Sequence, residues 1–124
     1  MSVRVLVVDD TDHVRTMLVD MLQLDGFEVC GEAASGPDAM ASAGRLDPEV
    51  IIMDYKMPGM NGLEASRAIR EQRPNQPIIL YTAYLDPKLE EEARQAGVAI
   101  CIGKVEGLGR LERHITELAR DLAS

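Results

Sequence analysis

Apolar residues fall along this chain in two rhythms that alternate from end to end. Arg4-Val5-Leu6-Val7-Val8, Val50-Ile51-Ile52-Met53, Ile78-Ile79-Leu80-Tyr81-Thr82 and Val98-Ala99-Ile100-Cys101-Ile102 are short, nearly unbroken apolar runs rich in β-branched residues. Such runs read as strands buried on both faces, as in a parallel sheet covered by helices. Glu28-Val29-Cys30-Gly31-Glu32-Ala33 instead alternates, which suits an edge strand. Between these runs the spacing changes to threes and fours. Asp12 is the expected N-cap of a helix with Val14, Met17, Leu18, Met21 and Leu22 on one face, stopped by Gly26. Gly36-Pro37-Asp38 opens a second helix that runs to about Arg45. Gly62 to Arg73 forms a third, with Leu63, Ser66 and Ile69 inward. Pro87 starts a fourth that ends at Gly97, and its Glu90, Glu91 and Glu92 suit the positive end of the helix dipole. The last carries Leu108, Leu111, Ile115, Leu118 and Leu122 in steps of three and four to the C-terminus. Met17, Met21 and Met53 are expected to fill the core. Strand and helix thus alternate five times, which predicts an α/β fold: a five-stranded parallel sheet, doubly wound by five helices through right-handed crossovers.

Composition narrows this without changing it. The 124 residues suit one domain, residues 1–124, and include only three Tyr and one Phe, so the core must be aliphatic. A net charge of −8 argues against direct contact with nucleic acid or an anionic membrane. No apolar run approaches the length of a membrane span, and the chain enters its first strand without a signal peptide. The two cysteines, Cys30 and Cys101, belong to strands expected at opposite edges of the sheet, so they should be free thiols, suited to a reducing cytoplasm. His13 and His114 lie in helices without partner ligands and are expected to be exposed.

The chemistry gathers where strands end. Four strands finish on or beside a polar residue: Asp9 and Asp10, Asp54, Thr82, and Lys104. In a parallel sheet those ends share one edge, where ligands of open α/β folds bind. The Pro-Gly and Asn-Gly pairs of Met57-Pro58-Gly59-Met60-Asn61-Gly62 then turn the chain away and leave Asp54 at the rim of a crevice. Three carboxylates brought together repel one another, and Lys104 offsets only part of their charge. A hard divalent cation with oxygen ligands answers the need, and a site with open positions suits Mg²⁺. A metal, an ammonium group and a hydroxyl around a carboxylate are the parts that stabilise a transferring phosphoryl group. Asp54 itself is the expected nucleophile. Taken alone, Asp9 and Asp10 would do no more than cap a helix, and Thr82 would be a turn residue.

The Asp9-Asp10 pair, Asp54 with the Met57–Gly62 turn, Thr82-Ala83 and Lys104 together resemble the receiver domain of two-component response regulators, over essentially the whole chain. The resemblance implies a flavodoxin-like sheet of order 2-1-3-4-5 and a phosphoryl group taken by Asp54 from a sensor histidine kinase or phosphotransfer protein. It implies that Asp10 is a direct Mg²⁺ ligand, that Asp9 acts through water, and that Lys56 contributes its backbone carbonyl. Lys104 would pair with a phosphoryl oxygen, and Thr82 would swing its hydroxyl onto the phosphoryl group as the switch. The partners implied are that donor and a downstream protein target or output domain, with a homodimer compatible. The receiver would catalyse only its own phosphorylation and dephosphorylation.

Two positions depart from the family pattern. Val105 stands where proline usually follows the lysine, so the Lys104–Val105 bond is expected to be trans and the loop differently shaped. Cys101 stands where an aromatic usually rotates inward. These departures leave open an atypical receiver that binds partners constitutively with its switch uncoupled. A phosphohydrolase with an aspartyl nucleophile is a third reading, against which stand the adjacency of the two acids and the short chain. Lys56 and Tyr84, each two residues beyond a site residue, sit where water would approach the acyl phosphate, and their bulk predicts slow self-dephosphorylation.

Overall fold

A computed structural model describes residues 2–123 of the chain, with side-chain surroundings as far as Asp121. Five strands alternate with five helices: β1 (Arg4–Val8), α1 (Asp12–Leu24), β2 (Glu28–Ala33), α2 (Gly36–Leu46), β3 (Val50–Met53), α3 (Gly62–Gln72), β4 (Ile78–Thr82), α4 (Pro87–Gln95), β5 (Ile100–Gly103) and α5 (Leu108–Ala123). All strand pairs are parallel, in the order β2-β1-β3-β4-β5. This is the expected flavodoxin-like sheet. Cys30 and Cys101 lie on its opposite edges as free thiols.

Alternation along the strands feeds two separate cores. Leu6, Val8, Ile51, Met53, Ile78 and Leu80 face α2, α3 and α4. Val5, Val7, Val50, Ile52, Ile79 and Ile102 face α1 and α5. Each of these is essentially sealed from solvent, and complete burial of such a side chain contributes roughly 1.5–3 kcal/mol. Small residues let α2 pack closely, with Ala39, Ser42 and Ala43 buried. Side-chain oxygens hold three helix starts: Ser35 Oγ accepts from Asp38 N–H, Asn61 Oδ1 from Leu63 and Glu64 N–H, and Asp86 Oδ1 from Leu89 N–H. Each satisfies backbone donors that a helix cannot satisfy itself.

Several expectations are corrected. Met53 is fully buried, but Met17 is 57% and Met21 41% exposed. The residues of α1 that reach the core are Leu18, Val19 and Leu22. The apolar stripe of this helix is wider than the seam offered by the sheet and α5, and its rotation favours Val19 over the flanking methionines. Thr11, not Asp12, is the N-cap of α1. The fifth strand starts at Ile100 rather than Val98, and a 3₁₀ turn over Lys104–Glu106 precedes α5. There the Gly103 N–H donates to Glu106 Oε2 at 2.7 Å, a local bond that no apolar period announces. Lys104–Val105 is trans, and no cis peptide occurs among the described residues. His13 is exposed as expected, whereas His114 is half-buried with Nδ1 3.5 Å from Glu117. On α5, Leu111 and Ile115 are buried, with Leu108 and Leu118 partly so; Leu122 lies outside the described side chains.

Gly62 opens α3 against the back of β3. A Cβ there would fall 2.1 Å from the Asp54 carbonyl oxygen and 3.0 Å from Tyr55 Cα, both rigid backbone. The Gly62 N–H donates to the Tyr55 carbonyl at 2.7 Å, which stitches the loop shut. Gly62→Ala should therefore cost about 1–3 kcal/mol through forced separation of the two segments, read as a lower midpoint in urea unfolding with unchanged slope.

Glu112 on α5 adjoins Asp25 at the end of α1, and its Oε2 is buried with no hydrogen-bond donor among the described residues. When protonated, the Glu112 carboxyl can hydrogen-bond to Asp25. Burial first, then Asp25, pushes the Glu112 carboxyl from its ordinary 4.5 to about 7. A carboxyl raised in the folded state binds its proton more tightly there, so the stabilisation is present at low pH and lost as pH rises from about 4.5 to about 7. Thermal melts should show Glu112→Gln gaining on the parent protein between pH 5 and pH 8; equal pH dependence in both proteins would refute the raised Glu112 pKa.

Candidate functional site

The register of the sheet delivers the site. Val8 lies opposite Met53, and Thr82 opposite Gly103, so the residues that follow β1, β3 and β5 emerge together beside the end of β4. The Asp54 N–H donates to the Val8 carbonyl and the Asp9 N–H to the Ala33 carbonyl, which extends the ladder up to the acids. Asp9, Asp10 and Asp54 each offer a carboxylate oxygen, and these oxygens lie within 4.8 Å of one another. Asp9 is buried, Asp10 is half-buried, and the Asp54 side chain is only 13% exposed; Asp10 and Asp54 line a cleft of about 450 Å³. Lys56, Thr82, Tyr84 and Lys104 also line this cleft.

Lys104 crosses from β5 to meet the acids. Its Nζ donates to Asp9 Oδ2 at 3.2 Å and stands 3.7 Å from Asp54 Oδ1. The same Asp54 oxygen accepts from the Tyr55 N–H at 2.9 Å. Burial nevertheless pushes the Asp54 carboxyl up to about 6; Lys104 opposes the shift, Asp9 adds to it, the Tyr55 N–H opposes it and Asp10 adds again. One ammonium group therefore does not neutralise the cluster. The donor set is entirely hard oxygen and carries excess negative charge, so the residues present fit a Mg²⁺ ion.

Surrounding groups fix these side chains. Asp9 Oδ1 accepts from the Thr11 N–H at 2.9 Å, and Arg15 donates to the Asp9 carbonyl at 2.6 Å while pairing with Asp12 and Glu32. Arg15 was not legible as a site residue, since its one signal is a position one turn into α1 beyond the acid pair. Thr82 is buried, and its Oγ1 accepts from the Tyr84 N–H at 3.3 Å. The Lys56 ammonium lies 6.0 Å from the Tyr84 ring centroid, so the two form one side of the cleft mouth. Asp9, Asp10, Asp54, Lys56, Thr82 and Lys104, the site residues expected from the sequence, come to this one edge. Cys101 is half-buried against the α4-side core, and burial raises its thiol to about 11, far from a reactive thiolate.

Comparison with known proteins agrees with this arrangement. A family model described as the response regulator receiver domain matches residues 5–116. The response regulator GacA of Pseudomonas viridiflava is 40% identical over 114 residues, covering 91% of this chain and 53% of GacA. The chain thus spans about half the length of that relative. The chemotaxis protein CheY of Thermotoga maritima is 40% identical over 97 residues, 78% of this chain and 81% of CheY. Among solved structures, the response regulator TrrA of Thermotoga maritima, in complex with Mg²⁺–BeF, superposes with a TM-score of 0.85 at 30% identity, covering 95% of this chain and 99% of that one. With acids, lysine and threonine at the ends of parallel strands and a family match over nearly the whole chain, this protein belongs to the receiver-domain family of two-component response regulators.

Proposed function

We propose that residues 1–124 act as one receiver unit in the cytoplasm, in which Asp54 takes a phosphoryl group from a phosphohistidine on a sensor histidine kinase or phosphotransfer protein. The observation that carries this reading is the convergence of Asp9, Asp10 and Lys104 on the Asp54 carboxylate, which lines the cleft. An Asp54 oxygen forms the bond to phosphorus as the phosphorus–nitrogen bond of the donor breaks, and the electron pair leaves with the imidazole nitrogen. Asp9, Asp10, Asp54 and the Lys56 backbone carbonyl would hold Mg²⁺, which supplies compensation for charge on the phosphoryl oxygens. Lys104, already between two carboxylates, transfers a hydrogen bond to a phosphoryl oxygen. Thr82 gives up the Tyr84 N–H and turns its hydroxyl toward the new group. That rotation changes the β4–α4 loop, which passes the signal to a downstream protein or output domain. Family membership favours this reading over an aspartyl phosphohydrolase.

With acetyl phosphate and Mg²⁺, intact-mass spectrometry should find one added phosphoryl group on the parent protein and none on Asp54→Asn. Chelation of Mg²⁺ or Asp10→Asn should slow acceptance by at least tenfold, consistent with the several kcal/mol that a metal contributes in such reactions. A phosphorylated Asp54→Asn protein would refute the site.

Lys56 and Tyr84 close one side of the mouth through which water must reach the acyl phosphate. Lys56→Asn combined with Tyr84→Ala should shorten the lifetime of the phosphorylated form several-fold in a chase after donor removal. An unchanged lifetime would show that the pair does not screen the site.

A further inference from the structure

Tyr81 precedes Thr82 on β4, and alternation sends the two side chains to opposite faces of the sheet. Leu80 packs with the α2–α4 core, whereas Tyr81 packs half-buried against the α1–α5 core. On that side its ring lies beneath the lysine of the site, with Lys104 Nζ 5.9 Å from the ring centroid. The Lys104 ammonium is thus bounded by Asp9 at 3.2 Å, Asp54 at 3.7 Å and the face of an aromatic ring. We propose that Tyr81 is a positioning residue that holds the Lys104 ammonium at the acidic pocket through its ring face, from the side of the sheet opposite Thr82. This inference rests on the assignment of Asp54 and Lys104 given above.

The physical need is specific. Lysine carries a flexible four-carbon stem, and holding its ammonium at one point costs rotamer freedom. The two carboxylates attract it strongly, but their free charge changes when a cation or a phosphoryl group arrives. The ring quadrupole is a weaker attraction that does not depend on the charge state of the pocket. Burial pushes the Tyr81 hydroxyl above its ordinary value, with Lys104 opposing, so the phenol remains neutral while the site works.

The test compares rates of phosphorylation by acetyl phosphate with Mg²⁺, followed by intact mass. Tyr81→Phe keeps the ring and should match the parent, whereas Tyr81→Leu should be about two- to fivefold slower, the range of a partly exposed cation–π contact. In a Lys104→Met background, Tyr81→Leu should cause no further loss, because the partner is gone. Equal rates for Tyr81→Leu and the parent, equal losses in Tyr81→Phe and Tyr81→Leu, or the same additional loss in the Lys104→Met background would each overturn the inference. A second measurement does not depend on the folding of Tyr81→Leu. The chain has three Tyr and no Trp, so Tyr55→Phe with Tyr84→Phe leaves Tyr81 as the reporter. Its emission should change on adding Lys104→Met; no change would overturn the contact. The site assignment fails separately: Asp54→Asn that accepts as much phosphoryl as the parent would remove the reading beneath the inference, whatever Tyr81 does.

Discussion

Mutual repulsion among the carboxylates of Asp9, Asp10 and Asp54 is the constraint on which the rest of the structure depends. Two like charges about 4 Å apart near a protein surface repel by about 4 kcal/mol, and parallel strands force this proximity by ending at one edge. The sheet withstands it because Val5–Val8, Val50–Met53 and Ile78–Leu80 are apolar on both faces. A few fully buried isoleucines and valines, at roughly 1.5–3 kcal/mol each, exceed the repulsion. Lys104 removes part of it. Burial, more than the neighbouring acids, raises the Asp54 pKa, and the negative charge that Lys104 leaves uncompensated gives the cluster an affinity for hard cations.

Around that pocket the two sheet faces carry different contacts. Thr82 belongs to the β4–α4 side, where Tyr84 and Lys56 form the rim. Lys104 instead leans over Tyr81, on the side of α1 and α5. The position where the family usually places a rotating aromatic holds Cys101, a thiol buried against the α4-side core. Tyr81 cannot enter that space, because strand alternation commits it to the other face. A change at Asp54 therefore has two structurally separate neighbours through which to act, a hydroxyl on one face and an ammonium on the other.

The errors of sequence reading have a common origin. Met17 and Met21 share helical spacing with Leu18 and Leu22, yet stand in solvent, because hydrophobic period gives the width of a stripe but not the rotation that packing selects. Nothing in the sequence marks Glu112; only the approach of α5 to the end of α1 brings it against Asp25. Nothing in the sequence marks Arg15 either, because its partner at the site is the Asp9 backbone carbonyl. The Lys104–Glu106 turn depends on one side-chain bond to Gly103 N–H. In each case the deciding partner is distant in sequence or is a backbone group without a residue signature.

The sequence by itself determined the alternation of strands and helices, the aliphatic core and the acids that end the strands. Those features are local: a strand buried on both faces must be apolar throughout, and it must return to polar residues where it meets water. It also pointed to free cysteines, since alternation marked the strand of Cys30 as an edge and the order implied by the family resemblance put the strand of Cys101 at the other. Only the tertiary structure decided which oxygens approach one another, how far Lys104 reaches toward Asp54, and that a tyrosine ring lies under it. Those depend on sheet register, strand twist and helix rotation, which arise from simultaneous packing of residues far apart in the chain and have no counterpart in any single stretch of it.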